Sequence, residues 1–161
     1  MKSNPEVQDC SCFLQILCMF ADKGTFMRKC IYLDIDGVLL TVKNKRIAAD
    51  AIQFITFVTS EFDCYWLTTH CKGDTIPTMA YLQKFFPKDV CVMLSKIKPT
   101  HWDTLKTEGI DFQSDFYWIE DYPFEAEKII LKEHGMYDRL IVVTLNNNRE
   151  LLRILGLLKQ S

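Results

Sequence analysis

From Lys29 onward, apolar runs of strand length alternate with stretches of helical spacing. Residues 30–35 (CIYLDI) are a continuous apolar run broken only by Asp34, as in a strand buried on both faces. In LLTVKNKRIAAD, which follows Gly37, the Lys43-Asn44-Lys45 centre suits a small hairpin. Residues 49–61 place Ile52, Phe54, Ile55 and Val58 at helical spacing, with Asp50 as N-cap. A second strand is predicted at 64–68 (CYWLT). A helix is predicted at 74–86, opened by Asp74 or Thr75, with Pro77 in its first turn and Pro87 as its stop. The run VCVML at 90–94 is predicted as the third strand, and 102–110 as a short helix ended by Gly109. FYWIE at 116–120 is the fourth strand, followed by a helix over 123–135 with Pro at its start and Gly at its end. RLIVVTL at 139–145 is the fifth strand, and Asn146 to Asn148 are placed to cap a last helix, RELLRILGLLK.

Five apolar strands separated by helices predict an α/β protein, a three-layer α/β/α Rossmann-like fold around a five-stranded parallel sheet. A chain of 161 residues suits one such domain. Its boundary is expected at residue 27, where Met27 with Arg28 and Lys29 would make a natural start just ahead of the first strand. Residues 1–26 are then an extension peripheral to the fold. Its apolar stretch FLQILCMFA is too short to span a bilayer, and it follows Glu6 and Asp9 rather than the basic cluster of a signal peptide.

Composition narrows the setting only slightly. A net charge of −2 argues against general binding to nucleic acid or an anionic membrane. The seven cysteines form no C-x-x-C pair, and several lie in apolar runs, so reduced thiols in a cytoplasm are expected. Cys10, Cys12 and Cys18 lack the paired spacing of zinc sites.

In parallel sheets, ligands sit beyond the carboxyl ends of the strands, at the switch point of the topology. The polar residues at those ends are chemically coherent. Asp34 and Asp36 close the first strand, Thr68, Thr69 and His70 follow the second, and Glu120 and Asp121 follow the fourth. Lys98 and Lys106 lie between the third and fourth. Carboxylates converging at one edge repel unless a cation neutralises them, and an all-oxygen set suits Mg²⁺ with phosphate as co-ligand. A lysine, a hydroxyl and backbone amides at strand-to-helix turns would hold the phosphate, and a carboxylate can attack phosphorus.

The elements IYLDIDGVL, CYWLTTH, KIKPTHWDTLKTEG and FYWIEDYP, in that order over about 130 residues, resemble the motifs of the haloacid dehalogenase-like (HAD-like) hydrolase superfamily. The resemblance implies a Mg²⁺-dependent phosphohydrolase working through an aspartyl-phosphate. It implies Asp34 as nucleophile and Asp36 as acid and base. Gly37 would allow the sharp turn, Thr68 would supply the phosphate-binding hydroxyl and Thr69 a backbone amide. Mg²⁺ would be held by Asp34, the backbone carbonyl of Asp36, and the pair Glu120 and Asp121. A Glu at 120 departs from the usual Asp-Asp or Gly-Asp, which leaves open which of the two touches the metal; Asp121 is favoured. The lysine is Lys106 or Lys98, with Lys106 favoured because small relatives place it on the short helix. There is room for one hairpin and one helix between Gly37 and Thr68, and for about one helix and one strand between Cys71 and Lys98. The resemblance is therefore to members without a sizeable cap domain. Such members often act on large substrates or lean on a partner. The phosphorylated substrate (small molecule, protein or nucleic-acid end) stays open.

Each residue also has a plainer reading. Thr68 could be a strand-end hydroxyl bonded to backbone, and one of the two lysines a solvated surface residue. His70 and Cys71 are read as pocket lining rather than zinc ligands or a thiol nucleophile. Trp66, Trp118 and Phe116 are expected in the core, with Trp102 at the site rim. A receiver domain would place its phosphorylated Asp after the third strand, and a sugar-nucleotide transferase would need a nucleotide-binding region ahead of Asp34. The stronger rival is a relative that binds a phosphorylated ligand or partner without turnover.

Overall fold

The computed structural model describes residues 28–160. The expectation for residues 1–26 lies outside them. Five strands, β1 (Cys30–Leu33), β2 (Asp63–Trp66), β3 (Lys98–Pro99), β4 (Phe116–Glu120) and β5 (Leu140–Val142), form one sheet in the order β3-β2-β1-β4-β5. Every neighbouring pair is parallel. Chain progress from β1 runs outward one way to β3 and then the other way to β5, the doubly wound order of a Rossmann-like sheet. The switch point therefore falls between β1 and β4.

Side chains alternate across the sheet. Ile31 and Leu33 point to a face covered by α1 (Ala51–Glu61), α2 (Ile76–Leu82), α3 (Lys88–Leu94) and α5 (Glu150–Leu158), where Phe54, Ile55, Leu82, Val90, Leu94 and Ile154 complete the larger core. Tyr32, Phe116 and Trp118 point to the other face. There Leu131 of α4 (Glu125–Glu133), Ile110 and Trp102 form a smaller cluster. The thinner layer on this second face is completed by 3-10 turns at Lys106–Gly109 and Tyr137–Arg139. Among the described residues no helix is long and apolar enough to cross a membrane.

The structure corrects several local expectations. VCVML is not a strand: it lies in α3, with Val90, Cys91 and Leu94 buried and Val92 61% exposed, a helical stripe. A five-residue apolar run carries too little periodicity to separate the two states. The third strand is instead the two-residue Lys98–Pro99, whose proline is tolerated because β3 is a sheet edge. Asp50 does not cap α1 through its side chain; it adopts a left-handed conformation with φ 63°. Arg149, also left-handed, precedes α5 in place of the three asparagines. The helix expected over 102–110 shrinks to the 3-10 turn Lys106–Gly109. In place of a regular hairpin, residues 36–47 form turns with isolated bridges Asp36–Leu40 and Leu40–Ile47.

Candidate functional site

The register of the sheet brings three strand ends to one level. The Asp34 amide donates to the Ile119 carbonyl at 3.1 Å, and the Leu67 amide to the Leu33 carbonyl at 2.8 Å. Asp34, Thr68 and Glu120 thus leave the sheet side by side at the switch point. Glu120 shares the face of Phe116 and Trp118, which turns it toward the 3-10 turn carrying Lys106.

Asp34, Glu120 and Asp121 each offer a carboxylate oxygen, and these oxygens lie within 4.8 Å of one another. Asp34 and Glu120 are buried, while Asp121 is partly exposed. Lys106 Nζ donates to Glu120 Oε2 at 2.6 Å and lies 3.3 Å from Asp34 Oδ2. Burial would push the Lys106 ammonium down, but the charges of Asp34 and Glu120 outweigh it and hold it above the ordinary lysine value. Glu120 is pushed up to about 8 by burial and by the charge of Asp34, against the pull of Lys106. Burial also raises Asp121, with Asp34 adding to it. One lysine does not neutralise three carboxylates, so this all-oxygen trio could hold a hard cation.

Gly37 makes room for this arrangement. Its φ is +82°, and a Cβ there would overlap the Asp121 carboxyl group. Thr68 is fully buried, and its Oγ1 has no hydrogen-bond partner among the described residues. The same holds for Thr107 Oγ1 and the indole nitrogens of Trp66, Trp102 and Trp118. Thr68 alone of these five follows a strand end beside the carboxylates. Thr69 is exposed in the following turn.

Lys98 lies elsewhere. It sits on the edge strand, its Nζ 3.7 Å from Asp63 Oδ1, with a side chain 53% exposed. The Asp63 carboxylate opens β2, so this pair marks the end of the sheet opposite the cluster. Trp102 is buried rather than on a rim, with Lys72 Nζ 4.1 Å from its ring centre.

Asp36 is engaged on both oxygens. Its Oδ1 accepts from Lys45 Nζ at 2.9 Å and from Tyr81 Oη at 3.0 Å, and its Oδ2 accepts from His70 Nε2 at 3.0 Å. Burial would raise its carboxyl, but the hydrogen bonds from His70, Lys45 and Tyr81 hold it below the ordinary aspartate value. Cys71 beside His70 is buried, its thiol toward the Asp74 carbonyl at 3.4 Å.

Sequence reasoning passed over Lys45, Tyr81 and Glu127. Glu127 is buried and accepts from the Lys106 amide at 2.8 Å through Oε1 and from the Phe124 amide at 2.8 Å through Oε2. It ties the start of α4 to the turn that carries Lys106. Its position three residues after Phe124, at the third position of a helix, was the available signal. Glu108, which follows Lys106, accepts from the amides of Asp103, Thr104 and Leu105 ahead of it at 2.8, 3.2 and 3.1 Å and shapes the same turn.

No family model matches the chain, and no curated protein or solved structure matches it either.

Proposed function

We propose that the protein is a Mg²⁺-dependent phosphohydrolase of the HAD-like type, without a sizeable cap, acting through an aspartyl-phosphate on Asp34. The observation that carries this reading is the meeting of Asp34, Glu120 and Asp121 within 4.8 Å, beside Lys106. An oxygen-only trio of this kind fits Mg²⁺, which would neutralise phosphate oxygens. Asp121 is the member of the trio without a contact to Lys106, which donates to Glu120 at 2.6 Å and lies 3.3 Å from Asp34, so it is the carboxylate most available to the ion. The unpartnered Thr68 hydroxyl fits a phosphate oxygen.

In the first half of the reaction an Asp34 oxygen bonds to phosphorus as the ester P–O bond breaks, and the departing oxygen takes a proton from Asp36. In the second half a water oxygen bonds to phosphorus, its proton goes to Asp36, and the Asp34–phosphorus bond breaks to release inorganic phosphate. Lys106 stabilises charge on the transferring group throughout. The short segments flanking the site support an open entrance, which suits a phosphorylated small molecule, protein or nucleic-acid end.

One observation favours the second reading, a phosphoryl-binding protein without turnover. Asp36 is held as a carboxylate by three donors, which suits the base of the second half-reaction better than the acid of the first. The deciding experiment is Mg²⁺-dependent phosphate release from 4-nitrophenyl phosphate. Release that disappears in Asp34→Asn and with EDTA supports the phosphatase. Equal background in wild type and Asp34→Asn rejects it in favour of binding alone.

A further inference from the structure

Three segments far apart in the chain converge on the carboxylate of Asp36. Lys45 comes from the turn after β1, His70 from the turn after β2, and Tyr81 from α2. The two ring donors form a single unit. His70 stacks on Tyr81 with centroids 3.9 Å apart and planes 12° from parallel. The unit is pinned from outside, because Thr78 Oγ1 donates to the His70 carbonyl at 2.8 Å and Phe85 packs edge-on to Tyr81 at 5.2 Å. Asp36 ionised is acceptor-only, so His70 Nε2 carries the proton in this contact. An ordinary surface ion pair needs one partner and leaves its carboxylate free to rotate. Here one donor lies on each oxygen from a packed ring pair, which fixes the carboxylate plane as well as its position.

Lys45 differs in kind. It sits in the left-handed region at φ 46° on a turn held by Thr41, whose hydroxyl accepts from the Arg46 amide at 3.1 Å. Its side chain is 40% exposed, so it can leave Asp36 at little packing cost.

We propose that His70 and Tyr81 are positioning residues for Asp36: their stacked rings fix the plane of its carboxylate as the base of the second half-reaction, while Lys45 is an exchangeable third donor on the same oxygen as Tyr81. The proposal rests on the phosphatase reading above and assigns two residues that the motif resemblance leaves without a role.

Tyr81→Phe and His70→Phe each keep an aromatic ring in the stack and remove one donor. Base catalysis acts on the water that cleaves the aspartyl-phosphate and not on the first release of 4-nitrophenol. The first-turnover burst and the steady-state rate on 4-nitrophenyl phosphate therefore separate positioning from general damage. Each variant is expected to keep the burst within about threefold and to lose about tenfold in steady-state kcat. Asp36→Asn should show the same split to a larger degree. Equal losses in burst and steady state, or none, overturn the positioning role while leaving the phosphatase standing. Wild-type protein with no Mg²⁺-dependent release from 4-nitrophenyl phosphate overturns both.

Discussion

Gly37 and Asp121 are in close contact: any Cβ on Gly37 would overlap the Asp121 carboxyl group. Two independent demands meet at this glycine, because its φ of +82° is also one that L side chains rarely adopt. Gly37→Ala should lose about 2 kcal/mol of stability, from the left-handed backbone and the displaced carboxylate together. It should also weaken Mg²⁺ binding by about tenfold, since the trio loses its geometry. Denaturant unfolding and a Mg²⁺ titration followed by thermal shift check the two parts. A variant with wild-type Mg²⁺ affinity would separate Asp121 from the ion.

Lys106 is the only basic side chain between Asp34 and Glu120 among the described contacts of that pair, and it is 13% exposed. Lys106→Met keeps the stem and removes the charge, leaving two buried carboxylates facing one another. Breaking such a pair should cost about 3 kcal/mol in metal-free protein, with part of the loss returned by Mg²⁺. On the proposed phosphatase reading, aryl phosphate hydrolysis should fall by about 100-fold, as expected for loss of a charge aimed at the transferring group. Lys98→Met at the edge strand should leave hydrolysis unchanged. Reversal of that order between the two variants would move the catalytic lysine to β3.

The contrast between these two lysines shows how far the sequence alone carries. Strand ends are legible because apolar runs stop there, so Asp34, Thr68 and Glu120 are legible as strand-end residues from the sequence alone. Lys98 and Lys106 both follow polar stretches, and nothing local separates them. Pairing of Lys98 with Tyr65 across the β2–β3 ladder, and the tether from Glu127 to the Lys106 amide, separate them in space. Val90 to Leu94 misled because a short apolar run fits a strand or one turn of helix, and the deciding contacts with α1 are tertiary. Tyr81 was invisible for a related reason: it meets Asp36 across 45 residues, at a position whose helical spacing looks like core.

Glu120 links stability to pH in a direction that a metal should reverse. Its folded-state value is raised to about 8 from an ordinary 4.5, by burial and by Asp34, so between those limits the native state binds more protons than the unfolded chain. Stability from this group is full below pH 4.5 and is lost as pH rises toward 8. Melting temperature in EDTA should therefore decline across that window. Mg²⁺ favours the ionised trio and should flatten the decline, and Glu120→Gln should flatten it without metal. A metal-free profile with no slope attributable to Glu120 would mean that its carboxyl ionises as freely as in water.

Thr68 offers the sharpest separation of function from folding. Its hydroxyl is buried and has no partner among the described residues, so the free protein carries the cost of a desolvated donor. Valine has nearly the same shape and lacks only that group. Thr68→Val should accordingly hold or raise stability, by about 1 kcal/mol in chemical unfolding, because an unsatisfied polar atom is removed from the interior. The same substitution should weaken binding of inorganic phosphate in the presence of Mg²⁺ by about tenfold, the loss of one hydrogen bond to a charged oxygen. The two measurements move in opposite directions only if the hydroxyl is kept for a ligand. A variant that loses stability and retains phosphate affinity would instead make Thr68 an ordinary member of the fold, bonded through buried water.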